Sequence, residues 1–304
     1  MKVVLFCGGY GMRLREYSES IPKPMVPVGY RPMLWHVMKY YAHFGHKDFI
    51  LCLGWKADVI KDYFLNYDEC VSNDFVLTSG GGTVQLLNSD IQDWNITFVD
   101  TGGSSNIGQR LKRVQPLLDG ETTFLANYTD GLCDLHLPTL INFHQRQKAI
   151  ATFTSVRPSQ SFHTVMADEE GLVRTLTPVC DADIWMNGGF FVFDQEIFSW
   201  MQEGEELILG PFRRLAEAGR LGTLKHHGFW SCMDTYKEKQ AMDERVAKGD
   251  APWEIWNPSS KPAGRAPAVA HSGGAARHFA LRIPDLTQVE SVESHDFAAE
   301  TGLS

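Results

Sequence analysis

Residues 1–29 read MKVVLFCGGYGMRLREYSESIPKPMVPVG, and the fold turns on how the run Lys2–Cys7 meets the glycines behind it. KVVLFC is unbroken apolar sequence after its lysine, the pattern of a strand buried on both faces. It stops at Gly8, Gly9 and Gly11, with Arg13 close behind. A strand running into consecutive glycines and then a helix or turn bares backbone amides against which an anion can sit. Arg13 and Lys23 supply positive charge for such a guest. Taken alone, the glycines read equally well as a tight turn with no ligand. They match neither the dinucleotide fingerprint, which needs a third glycine, nor the phosphate loop ending in Gly-Lys-Ser/Thr. Lys23 is more telling: in IPKPM it stands between Pro22 and Pro24, whose restricted backbones hold it on a stiff segment.

Working outward, PMLWHVMKYYAHFG predicts a helix, with Met33, Leu34, Val37, Met38 and Tyr41 at helical spacing and Gly45 at the C-terminal cap. DFILCL predicts a second buried strand, ADVIKDYFLN a short helix, and TFLAN at 123–127 a further strand. Strand alternating with helix predicts an α/β fold, doubly wound around a mostly parallel sheet. Residues 70–110, richer in glycine and short β-like pieces, read as an excursion from that sheet. In the second half AIATFTSV, HTVMA, LVRTL and MNGGFFVF predict strands, DQEIFSWM and PFRRLAEAG helices, and TYKEKQAMDERVAKG a charged helix ending at Gly249. This gives a β-rich C-terminal subregion within one domain over 1–256. From Asn257 the composition turns to Pro, Ala, Gly and Ser, predicting a linker and mobile tail through 304.

The chain has 304 residues, 43% of them hydrophobic, enough for a sizeable core, and a formal net charge of −9. An acidic balance argues against nucleic acid as partner. Neither a secretory leader nor a membrane-length apolar run is visible, so the reading is a cytoplasmic protein without a membrane partner. The six cysteines lack metal-ligand spacing, and those in runs such as FILCL read as small buried hydrophobes.

GGYGMRL followed by KPM resembles the signature of sugar-1-phosphate nucleotidyltransferases, a family of Rossmann-like nucleotide-diphospho-sugar transferases. The likeness continues through LWHVMKYYAHFGHKDFILCLGWKADVIKDYF, WNITFVDTG, RLKRV, MNGGFFVF, GFWSCMDT and KGDAPWEIW, and is strongest to the cytidylyltransferase branch. It implies a nucleotide-binding half over about 1–135 and an acceptor-binding half over about 136–256. It also implies a reaction in which a phosphorylated acceptor attacks CTP and pyrophosphate leaves. Both reactants are anions, so metal and fixed cations must neutralise their repulsion.

By the same resemblance, Asp130 of FLANYTDGLCDL and Asp234 of WSCMDT hold Mg2+, while Arg13 and Lys23 grip the triphosphate, making Arg13, Lys23 and Asp130 the catalytic set. Read as residues, Asp130 could form a turn before Gly131, and Asp234 could cap the helix that follows. The nucleotide is expected against Gly8, Gly9, Gly11 and Met12, with Ser104, Ser105 and Arg110 of DTGGSSNIGQRLKRV at the base and triphosphate. Tyr128, Asn187 and Gly188 are expected to frame the acceptor. A homo-oligomer is also implied, formed through the 70–110 excursion.

The chain departs from that pattern at several places. Met12 stands where the family has threonine, Thr129 where it has glycine before the metal aspartate, and Gln109 where it usually has glycine; Gly103 and Ile107 replace a polar pair. Thr177 of TLTPVCD stands where a lysine binds the sugar phosphate. Gly210 precedes Pro211 where a carboxylate reaches a sugar hydroxyl. Arg157, Arg174 and Arg213 are nearby cations that could compensate. These losses fall on the acceptor rather than the nucleotide, and an unpartnered buried polar group costs about 1–3 kcal/mol. The expected activity is therefore Mg2+-dependent cytidylyl transfer to a sugar 1-phosphate, glucose 1-phosphate or a variant. The alternatives are a non-sugar phosphate or phosphonate acceptor, or a catalytically weak nucleotide-binding regulator.

Overall fold

The computed structural model describes residues 1–9, 21–158 and 162–257. Gly11, Met12, Arg13 and the tail from 258 lie outside the described residues. The opening run is β1 (Val3–Phe6), buried along its whole length. After a single 3-10 turn at Lys23–Met25 come the short pair β2 (Pro27–Val28) and β3 (Arg31–Pro32), then α1 (Met33–His43), β4 (Asp48–Leu53) and α2 (Ala57–Leu65). The helical stripe of α1 is buried as its spacing requires, and Gly45 takes φ +85° just past its end.

β5 (Phe75–Thr78) and β6 (Thr83–Leu86) form an exposed hairpin, after which β7 (Asn95–Asp100) and α3 (Ile107–Val114) follow. The excursion expected over 70–110 is therefore shorter. β7 pairs with β4 as the sheet's edge, because its half-exposed pattern suits a strand covered on one side only. Next are β8 (Thr123–Tyr128), β9 (Gly131–Cys133), α4 (Leu137–Gln147) and β10 (Ala151–Val156). β11 (His163–Ala167) and β12 (Val173–Pro178) pair only with each other, outside the central sheet.

MNGGFFVF divides into β13 (Met186–Asn187) and β14 (Phe191–Asp194) around the bend at Gly188–Phe190. DQEIFSWM is a 3-10 segment rather than an α-helix. PFRRLAEAG enters α5 (Arg213–Glu217) through a π-turn, because Pro211 cannot donate its share of the helical ladder. β15 (Leu221–Lys225), β16 (Trp230–Cys232) and α6 (Tyr236–Ala247) complete the described fold.

The central sheet runs β15-β10-β13/β14-β8-β1-β4-β7, and only β13 and β14 oppose the rest. Alternation along β1 shows why it is doubly wound. Val3 and Leu5 enter the apolar cluster shared with α1, while Val4 and Phe6 enter the opposite cluster with Leu111 and Val114 of α3. The two sequence halves share this sheet, since β8 pairs with β14. All six cysteines are free thiols, and burial pushes Cys52 up to about 12, as expected of a small interior hydrophobe. Among the described residues no helix is long and apolar enough to cross a membrane.

Candidate active site

Parallel strands aim their C-terminal ends at one edge of the sheet, where ligands collect in open α/β folds. That edge carries Gly8 after β1, Asp130 after β8, Arg157 after β10 and Lys225 at the end of β15. Lys23 reaches it from the proline-bracketed turn, whose Pro22, Pro24 and Met25 are buried and fix the lysine's origin.

Lys23 Nζ donates to Asp130 Oδ2 at 2.7 Å and to Asp234 Oδ1 at 2.5 Å, so residues more than a hundred positions apart converge on one ammonium. Backbone register makes this possible. β9 and β16 pair antiparallel with Gly131 opposite Cys232, and Met233 N donates to Asp130 O, which brings both aspartates to the end of one short ladder. Asp234 does not cap α6. Thr235 is the N-cap, in a capping box with Glu238, whose Oε2 also accepts from Asp234 N. The cap thus fixes the backbone while the Asp234 carboxylate faces Lys23. Burial pulls the Lys23 pKa down, but the two carboxylates outweigh it and hold the ammonium above its ordinary value.

Both aspartates keep about a third of their side-chain surface exposed. Two carboxylates with room for phosphate oxygens and water form a donor set suited to Mg2+. Among the described residues no group of three His, Cys, Asp or Glu side chains forms a closed metal cage.

Gly8 and Gly9 differ in what surrounds them. A Cβ at Gly8 would collide with the Arg110 guanidinium, whereas among the described residues nothing lies within 4 Å of one at Gly9. The group that approaches Gly8 so closely is thus a side chain of the same protein. Arg110, expected at the nucleotide, is 1% exposed and donates to Leu53 O, Thr101 Oγ1 and Gly103 O. It braces the ends of β1 and β4.

Ser104 is exposed on the loop between β7 and α3, and Ser105 Oγ donates to Thr101 O at 2.5 Å. Gln109 has a structural role: with Asn106 it forms the capping box of α3. Thr129 is buried and its hydroxyl donates to Phe6 O, tying the end of β8 to β1 next to Asp130.

At the end of β8, burial, aided by Glu206 and Asp130, pushes the Tyr128 phenol up, and the nearby Asn187 side chain lowers it in part. Gly188 O accepts from Trp230 Nε1 at 2.9 Å, and Phe190 N donates to Asn127 Oδ1 at 2.8 Å. Trp230 and Asn127 are the positioning residues that sequence reading missed. The available signal was a buried amide near the end of the apolar strand FLANY. Gly210 lies against Glu205, whose carboxylate is engaged with Arg214 and held down to about 2 by it; a Cβ there would come within 2.9 Å of that carboxylate. Arg174 and Arg213 are exposed and paired with Asp168 and Glu217. Neither stands at the sheet edge.

The Nucleotidyl transferase family model matches residues 2–231. A probable glucose-1-phosphate cytidylyltransferase of Bacillus subtilis (strain 168) is 37% identical over 258 residues, covering 84% of this chain and all of that protein. The glucose-1-phosphate cytidylyltransferase of Salmonella typhi is 38% identical over 265 residues, with the same coverage. Among solved structures, UDP-glucose pyrophosphorylase complexed with UDP-glucose aligns with a TM-score of 0.59 at 16% identity, covering 81% of this chain and 98% of that one. HddC from Yersinia pseudotuberculosis aligns at 0.58 and 17%, covering 81% and 99%. The likeness to these two extends to the fold, with its mixed, mostly parallel sheet and flanking helices. With near-complete coverage of its cytidylyltransferase relatives and a family match over most of its length, the chain belongs to the nucleotidyl transferase family.

Proposed function

We propose that the protein transfers a cytidylyl group from CTP to the phosphate of a sugar 1-phosphate, glucose 1-phosphate or a variant of it, giving a CDP-sugar and pyrophosphate. The observation that carries this reading is the convergence of Asp130 and Asp234 on the Lys23 ammonium at the sheet edge where β1 runs out into Gly8 and Gly9. Asp130 and Asp234 fit Mg2+, which when bound would neutralise phosphate charge and orient the triphosphate. Lys23, with Arg13 from outside the described residues, grips the triphosphate and offsets charge on the departing pyrophosphate. The acceptor phosphate oxygen attacks the α-phosphorus directly, so no protein nucleophile is required.

Gly8, Gly9, Gly11 and Met12 line the nucleotide, Ser104 and Ser105 meet the base, and Tyr128, Asn187 and Gly188 frame the acceptor. Arg110 acts through the loop it braces. Relatives named as cytidylyltransferases, with Ser104 and Ser105 retained from the family's base-recognising stretch, support CTP as donor. A cytoplasmic homo-oligomer belongs to the same proposal. It is supported by the apolar side chains exposed on the β5–β6 hairpin, Leu77 and Val84 among them, and on neighbouring Leu87.

The test is pyrophosphate release from purified protein, MgCl2 and glucose 1-phosphate, with CTP, UTP, GTP, dTTP or ATP as donor. Release with CTP, suppressed by EDTA and by Asp130→Asn, is expected. No release from any combination of nucleotide and phosphorylated acceptor overturns the reading.

A further inference from the structure

Two cations meet on one indole at the sheet edge outside the site described above. Lys225 Nζ lies 4.6 Å from the Trp185 ring centroid and Arg157 Cζ lies 5.4 Å from it. The His227 ring stands edge-on to the same indole at 5.1 Å. Strand register produces this cluster. Ser155 of β10 is flanked by Asn187 of β13 on one side and Lys225 of β15 on the other, and Arg157 leaves the end of β10 between them. Trp185 precedes Asn187 by two residues, about 6.6 Å of extended chain.

Like charges gathered on one half-buried indole repel one another, and the cation–π contacts offset that repulsion only in part. The nearby carboxylate is Asp183, which accepts from Trp185 Nε1 at 2.8 Å and so orients the ring. The indole bond together with Lys225 and Arg157 holds that carboxyl below the usual range. Asp183 offsets one of the two positive charges, and Asp181, next to the Cys180 carbonyl that Arg157 bonds, is the other carboxylate in this stretch. Among the described residues neither Arg157 nor Lys225 forms an ion pair, and the hydrogen bond Arg157 makes is from Nη1 to Cys180 O. His226, next to Lys225, is turned inward to Asp134 at 2.9 Å. The cations therefore face outward, with guanidinium donors to spare.

We infer that Trp185, Arg157 and Lys225 form a subsite for a second anionic group on the acceptor, a phosphate or carboxylate remote from the phosphate that attacks the nucleotide. This rests on the cytidylyl-transfer reading and specifies its acceptor class. Lys225 stands two strand spacings, about 10 Å, from Asn187. The subsite thus lies beyond the sugar ring framed by Tyr128 and Asn187, too far out to serve the reacting phosphate. Arg157 can take a carboxylate or phosphate edge through paired N–H donors, and the indole offers a face to the ring. Arg157 also fastens Cys180, just past the segment of Thr177.

The test compares glucose 1,6-bisphosphate, glucuronic acid 1-phosphate and glucose 1-phosphate, by steady-state kinetics with CTP and by calorimetry with Mg2+ alone. At least one doubly anionic acceptor should show a KM and Kd about tenfold below those of glucose 1-phosphate. Whichever does so identifies phosphate or carboxylate as the group read. Lys225→Ala, and separately Arg157→Gln, should reduce that preference to near parity, and 0.5 M KCl should weaken it. Equal affinities in the unaltered protein overturn the subsite, as does a preference that survives both substitutions. Preserved calorimetric preference without turnover supports the subsite and removes only the cytidylyl reading.

Discussion

The sheet edge around Lys23, Asp130 and Asp234 and the sheet edge around Trp185 are built differently. Around Lys23, Asp130 and Asp234, position comes from the backbone: buried prolines, a strand ladder and a capping box decide where each charge stands. Around Trp185, position comes from long exposed side chains resting on one another. The first arrangement loses little entropy when an anion arrives, because its groups are already fixed. The second can be re-formed by substituting side chains without disturbing the strands that carry them. Within one family, acceptor choice can thus drift while the transfer chemistry stays in place.

The comparison breaks most readily at Asp130 and Asp234. Asp130→Asn should lower pyrophosphate release at least about a hundredfold. Thermal melting should stay close to that of the unaltered protein, because the backbone bond from Met233 N remains. A comparable loss of stability would mean that the edge around Lys23 is held by side chains after all.

The brace beneath the glycine loop gives the next largest effect. Gly8→Ala places a methyl against the Arg110 guanidinium and should cost about 1–3 kcal/mol in urea unfolding. Combined with Arg110→Ala the cost should shrink, a non-additivity that a double-mutant cycle reads directly. Additive losses would show that Gly8 and Arg110 act separately.

Acid tests the same rigid half. His36 is fully buried, and its Nε2 donates to Val28 O at 2.9 Å. Burial lowers its pKa from 6.5 to about 4. A ring kept neutral in the fold but protonated in the unfolded chain contributes its full stability above pH 6.5, and that contribution is lost as pH falls toward 4. Its loss should be on the order of 3 kcal/mol, read as a falling urea midpoint between pH 7 and pH 4 that His36→Gln makes shallower. The smallest effect belongs to Arg174→Ala on the β11–β12 hairpin. It removes an exposed pair with Asp168 and should change stability by under about 1 kcal/mol and leave acceptor KM where it was.

Local period made much of this legible. β1, α1, β4, α2 and β8 follow from runs and stripes that can be read within one element. β7 was absorbed into an excursion because a half-covered edge strand, entered from an exposed hairpin, lacks both a continuous apolar run and clean alternation. The split of β13 from β14 and the π-turn at Pro211 depend on tertiary packing, which overrides local propensity. At the site, Lys23, Asp130 and Asp234 were readable because a family pattern joined them. Trp230, Asn127 and the cations on Trp185 meet only through pairing between strands distant in the chain. Arg110 was assigned to the nucleotide because sequence gives a cation's presence but not its depth.

The ladder of β9 and β16 is three residues long on each side, and the gap between Asp130 and Asp234 is inherited from it. Interior side chains of those strands can be exchanged in the course of evolution with the gap preserved, since amides and carbonyls maintain it. Adding or deleting one residue is a different kind of event: the alternation would invert and one carboxylate would be carried to the far side. This corner of the protein should therefore be permissive to point changes and unforgiving of changes in length.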